Sequence, residues 1–170
     1  WYSFLKMQKK VAKNINRIIT PSKNSLRDIV DDFGANKENI KVINNGLDIE
    51  IFIPYKEIKR TPFKLITTAS ADVALKGLDY TLKSLFVLAK EFPEISLSVI
   101  GKMKNDGHTF RLIDELSIQD RVTFKTDLTK EEIAKEYASS SIAIVSSLYE
   151  GFGYPVIEAM SCEIPLIATN

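Results

Sequence analysis

The 170-residue sequence has little cysteine, histidine or tryptophan, with one of each. A single cysteine, Cys162, excludes a disulfide within the chain and is typical of a reducing compartment, so we expect a cytoplasmic location. Long apolar runs are also lacking, since runs such as 142–145 fall far short of the about 20 residues that span a bilayer. The first 20 residues carry lysines and an arginine through a helical pattern, without the apolar segment of a secretory signal.

Neither sign of charge dominates, because 23 basic and 22 acidic residues leave a net charge of +1. This balance argues against nucleic acid as a partner and against a polybasic membrane patch. With 45% hydrophobic residues, the chain is suited to one or two domains with a buried core. Because it begins at Trp1 and stops after an apolar segment, we expect it to be a piece of a longer protein.

From Phe63 onward, strand-like and helix-like segments alternate. Short apolar runs stand at 63–69, 95–101, 121–124, 141–146 and 164–169, with helical patterns at 78–91, 110–116, 129–137 and 155–161 between them. No hairpin signal interrupts the alternation, and the runs are nearly continuous in apolar residues, as in strands that are buried on both faces. The sequence therefore predicts an α/β fold with a parallel sheet and helices on both faces.

The preceding residues follow a shorter pattern. Helices are predicted over about residues 3–15 and 26–33, and strands at 17–20 and 40–43. Residues 48–62 contain two prolines and scattered charges and are interpreted as a linker. In the regular part, ligands should bind beyond the carboxyl ends of the strands, so we expect residues 68–72, 101–105, 124–127 and 146–153 to line one crevice.

The segment YEGFGYPVIEAM, residues 149–160, follows one of these strands and has the features of an anion site. Proline suits the start of a helix because its missing N–H would have no acceptor there. The start of a helix offers free N–H groups and a partial positive charge, which together favour phosphate. Gly151 and Gly153 let backbone amides approach a ligand without a Cβ in the way.

Two carboxylates flank this anion site. Glu158 lies one turn inside the predicted helix, where it can accept hydrogen bonds from hydroxyls such as those of a ribose. Glu150 stays in the loop on the other side. A ligand with a diphosphate in the middle and hydroxyl-rich groups at both ends fits this arrangement, and a nucleotide sugar is such a ligand.

The string EGFGYPVIEA resembles the Glu-x7-Glu signature of family-4-type (group 1) retaining glycosyltransferases, which have the GT-B architecture of two facing Rossmann-like domains. Segments from RIITPSKNSLRDIV through KVINNGLDIEIFIP are similar to the end of that family's acceptor domain and its interdomain link. ASADVALKGLD is similar to the loop after the first donor-domain strand. The resemblance thus implies two parts: residues 1–54, the end of the acceptor-side domain with the link, and residues 55–170, a truncated Rossmann-like donor-binding domain.

The resemblance also implies roles for individual residues. Glu158 would bind the ribose hydroxyls, while the catalytic pair would be Glu150, at the transferred sugar, and Lys76, at the diphosphate leaving group. Phe124 and Lys125 would lie beside the base. The full donor-binding set is Ser70, Lys76, Gly101, Phe124, Lys125, Glu150, Gly151, Phe152, Gly153, Tyr154, Val156 and Glu158.

The implied reaction transfers a hexosyl group from a UDP-, GDP- or ADP-sugar to the hydroxyl of a sugar or lipid-linked acceptor, with retention at the anomeric carbon. It needs no metal ion and no cofactor beyond the nucleotide-sugar co-substrate. The resemblance leaves peripheral attachment to the inner membrane face open. We expect the 170 residues alone to be inactive in transfer, and an exposed apolar sheet edge could make them self-associate.

Three departures from the family pattern keep other functions open. Ser70 stands where the family usually has a second basic residue, the glycine-rich turn after the second strand is reduced to Gly101, and Thr126 replaces a glycine. Ser70 favours a non-catalytic sugar-nucleotide or phosphate-binding module, and the fold also admits a sugar-nucleotide epimerase. A dinucleotide oxidoreductase is excluded, because TTASADVALKG stands where the G-x-G-x-x-G fingerprint would be.

Overall fold

A computed structural model describes residues 2–70 and 72–169. Its contacts divide the chain into two compact units: residues 2–46 together with Glu150–Gly153, and residues 47–149 together with 154–169. The proposed domains 1–54 and 55–170 stay a prediction. Within the described ranges, no helix has both the length and the apolar character needed to cross a bilayer.

The first unit contains two helices and two short strands. In chain order they are α1 (Tyr2–Ala12), β1 (Ile18–Thr20), α2 (Lys23–Asp31) and β2 (Ile40–Val42), with a 3-10 turn at Lys37–Asn39. Strands β1 and β2 pair in parallel, with Ile18 opposite Ile40. Helix α2 starts after Ser22, whose hydroxyl accepts a hydrogen bond from the Ser25 amide at 3.0 Å. All four elements overlap the predicted segments, although α1 ends at Ala12 and not near residue 15, and α2 begins at Lys23 and not at Leu26.

The second unit is the predicted α/β domain. Its elements are β3 (Lys64–Thr68), α3 (Leu78–Leu88), β4 (Ser96–Ile100), α4 (His108–Glu115), β5 (Val122–Lys125), α5 (Lys130–Ser139), β6 (Ile142–Val145), α6 (Tyr154–Ser161) and β7 (Leu166–Ala168), with 3-10 turns at Ala74–Lys76 and Gln119–Arg121. The strands form one sheet in the order β5-β4-β3-β6-β7. Every neighbouring pair is parallel, which confirms the predicted fold class.

Two apolar cores sandwich this sheet. On one face, Leu82 and Leu85 of α3 are fully buried with Leu97 and Val99 of β4. On the other face, a second core joins Ile66 of β3 to side chains of α5 and α6, namely Ala134, Tyr137 and Ala159. Alternate residues of each strand point to opposite cores, so apolar residues stand on both faces of the sheet.

Helices α5 and α6 start as local sequence rules require. Thr129 and Glu132 form the predicted capping box of α5, with the Thr129 amide donating to the Glu132 carboxylate at 2.7 Å. Helix α6 begins at Tyr154, one residue before the predicted Pro155. Proline is tolerated at this second position as well, because none of the first four N–H groups of a helix has an intrahelical acceptor.

Candidate functional site

The loops after strands β3, β4, β5 and β6 leave the same edge of the sheet, because all four strands run in parallel. The sequence analysis predicted this placement from alternation alone. In parallel α/β sheets this edge is where ligands bind. The second unit therefore presents its candidate site here, and two of its loops, those after β3 and β4, carry predicted donor-binding residues.

The loop that carries Lys76 is fastened to the end of β6. The Leu148 amide donates to the Leu75 carbonyl at 2.8 Å, and the Ser146 hydroxyl donates to the Gly77 carbonyl at 2.9 Å. Because that bond uses the only hydroxyl proton of Ser146, Thr81 is the donor in its 2.9 Å bond to Ser146 Oγ. Half-buried Lys76 is thereby fixed beside the strand that leads into the Glu-x7-Glu segment.

Gly77 makes this close approach possible. Its φ of 64° lies in the left-handed region, and it separates the 3-10 turn from the first residue of α3. A Cβ at this position would lie 1.9 Å from the Ser146 carbonyl oxygen, far inside van der Waals contact. The sequence identified LKG by resemblance, but the need for glycine there comes from a residue about 70 positions away.

Gly101 has a similar packing role between the ends of β3 and β4. A Cβ on Gly101 would lie 2.1 Å from the Ala69 carbonyl oxygen. The Ala69 amide donates to the Ile100 carbonyl at 3.1 Å, which continues the strand pairing to this point. Ser70 follows directly and is exposed. Both predicted donor-binding residues thus lie at the carboxyl edge of the sheet, and their contact with a donor stays a prediction.

Asp72 connects the loop after β3 to the start of α4. Its carboxylate accepts a hydrogen bond from the Thr109 amide at 2.8 Å, and its own amide donates to Thr109 Oγ1 at 3.1 Å. The bond from the Thr109 amide is the main reason that the pKa of Asp72 is lowered. Since a carboxylate already caps this helix, the first turn of α4 is less suited to a phosphate group than a bare helix start.

Glu158 belongs to a partly buried chain of hydrogen-bonded side chains that the sequence analysis missed. The Tyr137 hydroxyl donates to Glu158 Oε2 at 3.3 Å and lies 3.0 Å from Thr68 Oγ1. Burial raises the pKa of Glu158, and Tyr137 is only 1% exposed. The three residues come from α6, α5 and the carboxyl end of β3. No sequence spacing connects them, because each lies on a different element.

The centre of the signature, Glu150–Gly153, belongs to the first unit. Within that unit, the Ser25 hydroxyl donates to the Gly151 carbonyl at 3.1 Å. Gly153 is buried with a φ of 86°, whereas Glu150 and Phe152 are half-buried. In the second unit, Tyr154 and Val156 lie in the first turn of α6, on the same helix as Glu158. The donor contacts of these residues stay predictions.

Phe124 and Lys125 point to opposite faces of the sheet, as neighbouring strand residues must. Phe124 packs against the core beneath α3 and α4. The Lys125 ammonium group donates to the Glu136 carboxylate on α5, which also pairs with Lys64 at 3.0 Å and accepts from Ser98 at 3.3 Å. The proposed positions of both residues beside a base stay predictions, although each side chain already has a structural role.

Replacing Glu136 by glutamine should destabilise the second unit by about 1–3 kcal/mol at neutral pH, because two lysines would lose a half-buried partner. Burial opposes the charged form of Glu136, but hydrogen bonds from Lys125 and Lys64 outweigh it, so the pKa is lowered. A lowered pKa means that the stabilisation exists above the glutamate pKa of the unfolded chain and is lost as pH falls through the folded value. Urea unfolding at a series of pH values checks this.

The control for this experiment is Glu94→Gln, because Glu94 is exposed in the turn before β4. It should change stability by less than about 0.5 kcal/mol at any pH. If Glu136→Gln and Glu94→Gln gave the same stability at neutral pH, the cluster around Glu136 would contribute nothing measurable.

The described part of the chain contains no group of side chains that could bind a metal ion together. No three histidine, cysteine, aspartate or glutamate side chains come together there in a group that could hold a metal ion. The expectation of a reaction without a metal ion stays a prediction.

Comparison with protein families decides the class of the chain. Residues 50–170 match the model for glycosyl transferases group 1, which is more than half of the sequence. The chain belongs to this family. The match begins at Glu50, near the start of the second unit, and includes every residue of the predicted donor-binding set, from Ser70 to Glu158.

Similar proteins are found among curated sequences. The chain is 38% identical over its whole length to the MMP alpha-(1->4)-mannosyltransferase of Mycolicibacterium hassiacum, and covers 41% of that protein. It is 28% identical to the D-inositol 3-phosphate glycosyltransferase of Mycolicibacterium smegmatis, where the match covers 95% of the chain and 39% of the relative. The chain therefore spans about two fifths of the length of these relatives.

Solved structures share the fold over nearly the whole chain. A sucrose-phosphate synthase from Thermosynechococcus elongatus superposes with a TM-score of 0.80 at 23% identity, covering 99% of this chain and 44% of that protein. The Anabaena protein HepE, solved in complex with UDP-glucose, gives a TM-score of 0.78 at 20% identity and covers 98% and 48%. At these identities the likeness establishes the Rossmann-like GT-B fold and nothing more.

Proposed function

We propose that the chain provides the donor-binding part of a retaining glycosyltransferase that uses a nucleotide sugar. The observation that carries the proposal is the pair of fixed groups at one sheet edge. The Lys76 loop is hydrogen-bonded to the end of β6, and the Glu158 carboxylate is anchored by Tyr137. A cation can pair with a diphosphate and a carboxylate can accept from ribose hydroxyls, so the two groups suit a nucleoside diphosphate.

The proposed reaction breaks the bond between the anomeric carbon and the diphosphate oxygen and forms a bond from that carbon to an acceptor oxygen. The nucleoside diphosphate leaves with the electron pair of the broken bond and takes up the proton that the acceptor hydroxyl loses. Lys76 and the amides at the start of α6 would stabilise the charge that develops on the leaving oxygen. Glu150 would contact the transferred sugar and polarise the reacting centre.

The relatives support a hexosyl donor without fixing the base. Proteins similar to this chain are named as a mannosyltransferase and as D-inositol 3-phosphate glycosyltransferases, and HepE was solved with UDP-glucose. We therefore propose a UDP-, GDP- or ADP-sugar as donor and a sugar or lipid-linked acceptor, with the protein in the cytoplasm or at the inner membrane face. Since acceptor-side residues are few here, the chain alone should bind donor without transferring sugar.

A non-catalytic nucleotide-sugar-binding module is the second candidate. Ser70 favours it, because this exposed residue lies at the carboxyl edge of the sheet where a second cation would be expected. An epimerase of the same architecture remains an alternative chemistry. Incubating a complete protein that contains this chain with a donor panel separates the three: transfer or hydrolysis supports the transferase, sugar inversion supports the epimerase, and binding alone supports the module.

Binding of a nucleoside diphosphate tests the site itself. We expect calorimetric titration of the 170-residue chain to detect binding of at least one of UDP, GDP and ADP. Glu158→Gln should weaken that binding about tenfold, because an amide carbonyl replaces a charged acceptor for the ribose hydroxyls. The helix would keep its packing, since the two side chains have nearly the same shape.

Glu94→Gln serves as the control for lost charge and should leave the dissociation constant unchanged. If none of the three diphosphates bound at millimolar concentration, the donor-site proposal would be wrong. Equal affinity for the wild type and Glu158→Gln would instead retain a diphosphate site and remove Glu158 from it.

A further inference from the structure

We infer that Tyr137 is a positioning residue for the proposed donor site: its hydroxyl holds the Glu158 carboxylate in the orientation that reads the ribose 2′-hydroxyl. The inference rests on the proposed function, because it assumes that Glu158 faces a nucleotide. It adds a residue that lies 21 positions before Glu158, on a different helix. Tyr137 itself need not touch the ligand.

The direction of the hydrogen bonds follows from the donors that are present. The Tyr137 hydroxyl has one proton, and the Glu158 carboxylate 3.3 Å away can only accept while it is ionised. The 3.0 Å bond to Thr68 must then be donated by the Thr68 hydroxyl to the Tyr137 oxygen. The result is a chain in which Thr68 donates to Tyr137 and Tyr137 donates to Glu158, and each bond polarises the next.

Burial makes this series of hydrogen-bonded side chains rigid. Tyr137 is 1% exposed and belongs to the core beneath α5 and α6, with Ile66, Ala134 and Ala159 among its members. Close packing of that kind leaves the ring a single position. A half-buried Glu158 that is attached to such a ring loses little further freedom when a ligand binds, so part of the entropic cost is met before binding.

The arrangement uses one carboxylate oxygen for Tyr137 and leaves the other for a ligand. Oε2 of Glu158 accepts from Tyr137, and no other side chain or amide of residues 2–70 and 72–169 donates to this carboxylate, so a hydroxyl of a ligand can use Oε1. Cys162, the residue that follows α6, does not compete as an anion, because burial and the charge of Glu158 raise its thiol pKa to about 11. A ribose 2′-hydroxyl would therefore meet an oriented acceptor.

The loss of a ribose hydroxyl gives the most specific test. The 170-residue chain is titrated with the diphosphate that binds best among UDP, GDP and ADP, and with its 2′-deoxy form. We expect the wild type to prefer the ribonucleotide about tenfold. Tyr137→Phe should weaken the ribonucleotide about 5- to 10-fold and change the 2′-deoxynucleotide less than about twofold, so the preference disappears.

A second variant and a second measurement keep the inference testable if Tyr137→Phe fails to fold. Thr68→Val removes the hydrogen bond from Thr68 to Tyr137. It should reduce the preference for the ribonucleotide about two- to threefold. Because Tyr137 donates to the carboxylate and so opposes the rise in its pKa, Tyr137→Phe should also move the acid limb of ribonucleotide binding to higher pH. Tyr80→Phe on exposed α3 surface is the control and should change neither result.

The outcomes separate the inference from the proposed function. If Tyr137→Phe and Thr68→Val weakened both nucleotides equally, Tyr137 would be structural only, and the inference would be wrong while donor binding stood. Unchanged preference in both variants would overturn it as well. A wild type that bound both nucleotides equally would overturn the inference alone. A wild type that bound no diphosphate would overturn the inference and the proposed function together.

Discussion

Gly77→Ala should destabilise the second unit by about 2–5 kcal/mol and remove nucleoside diphosphate binding. A left-handed φ costs a residue with a Cβ about 1–2 kcal/mol, and an inserted methyl group in a packed site costs about 1–3 kcal/mol more. Both terms apply here, since φ is 64° and the new Cβ would lie 1.9 Å from the Ser146 carbonyl. Because the obstructing atom belongs to backbone, relief requires the Lys76 loop or β6 to move.

Gly46→Ala is the matched control, because the same methyl group would meet nothing within 4 Å there. It should change the free energy of unfolding by less than about 0.5 kcal/mol. Urea unfolding measures both variants, and calorimetry with UDP, GDP and ADP measures the site. Equal stability of the two variants would show that the loop tolerates a Cβ. That result would contradict the close contact between Gly77 and the Ser146 carbonyl.

The contrast between the predicted helices and strands and the missed Gly77–Ser146 junction shows what sequence reasoning can reach. Strand β4 and helix α5 were predicted because apolar period and capping chemistry act between residues a few positions apart. Ser146 could not be connected to Gly77 in this way, since their bond crosses about 70 residues of chain. Ser146 reaches Gly77 because β6 pairs with β3 in the sheet. The alternation of strands and helices does not determine that sheet order.

The donor-site residues divide along the same line. The sequence could place Glu158 one turn into α6, because a proline and a strand end fix where that helix starts. It could not find Tyr137 or Thr68, whose only relation to Glu158 is that three elements meet beneath the sheet edge. Phe124 and Lys125 were a different case: strand alternation already places their side chains on opposite faces of the sheet. The structure packs Phe124 against one core and pairs Lys125 with Glu136 on α5, while their position beside a base stays a prediction.

Lys76→Glu is expected to weaken nucleoside diphosphate binding about 100-fold or more. A lysine that donates to a diphosphate contributes about 1.5–3 kcal/mol, which corresponds to roughly 10- to 100-fold in affinity. A carboxylate in its place adds repulsion of the same order. Lys76→Met, which keeps an unbranched stem without charge, should therefore lose about 10- to 100-fold, and Lys76→Arg should retain most of the affinity. Calorimetric titration with the best-binding diphosphate measures all three.

Lys83→Glu distinguishes a contact from a general effect of charge. Lys83 is exposed on α3, seven residues beyond Lys76, and its reversal changes the net charge of the protein by the same amount. If the effect of Lys76 came from long-range potential, both reversals would weaken binding alike, and raising the salt concentration would remove the difference from wild type. If Lys76 contacts the diphosphate, Lys83→Glu should cost less than threefold, because the tether through Leu148 and Ser146 fixes only the Lys76 loop at the strand ends.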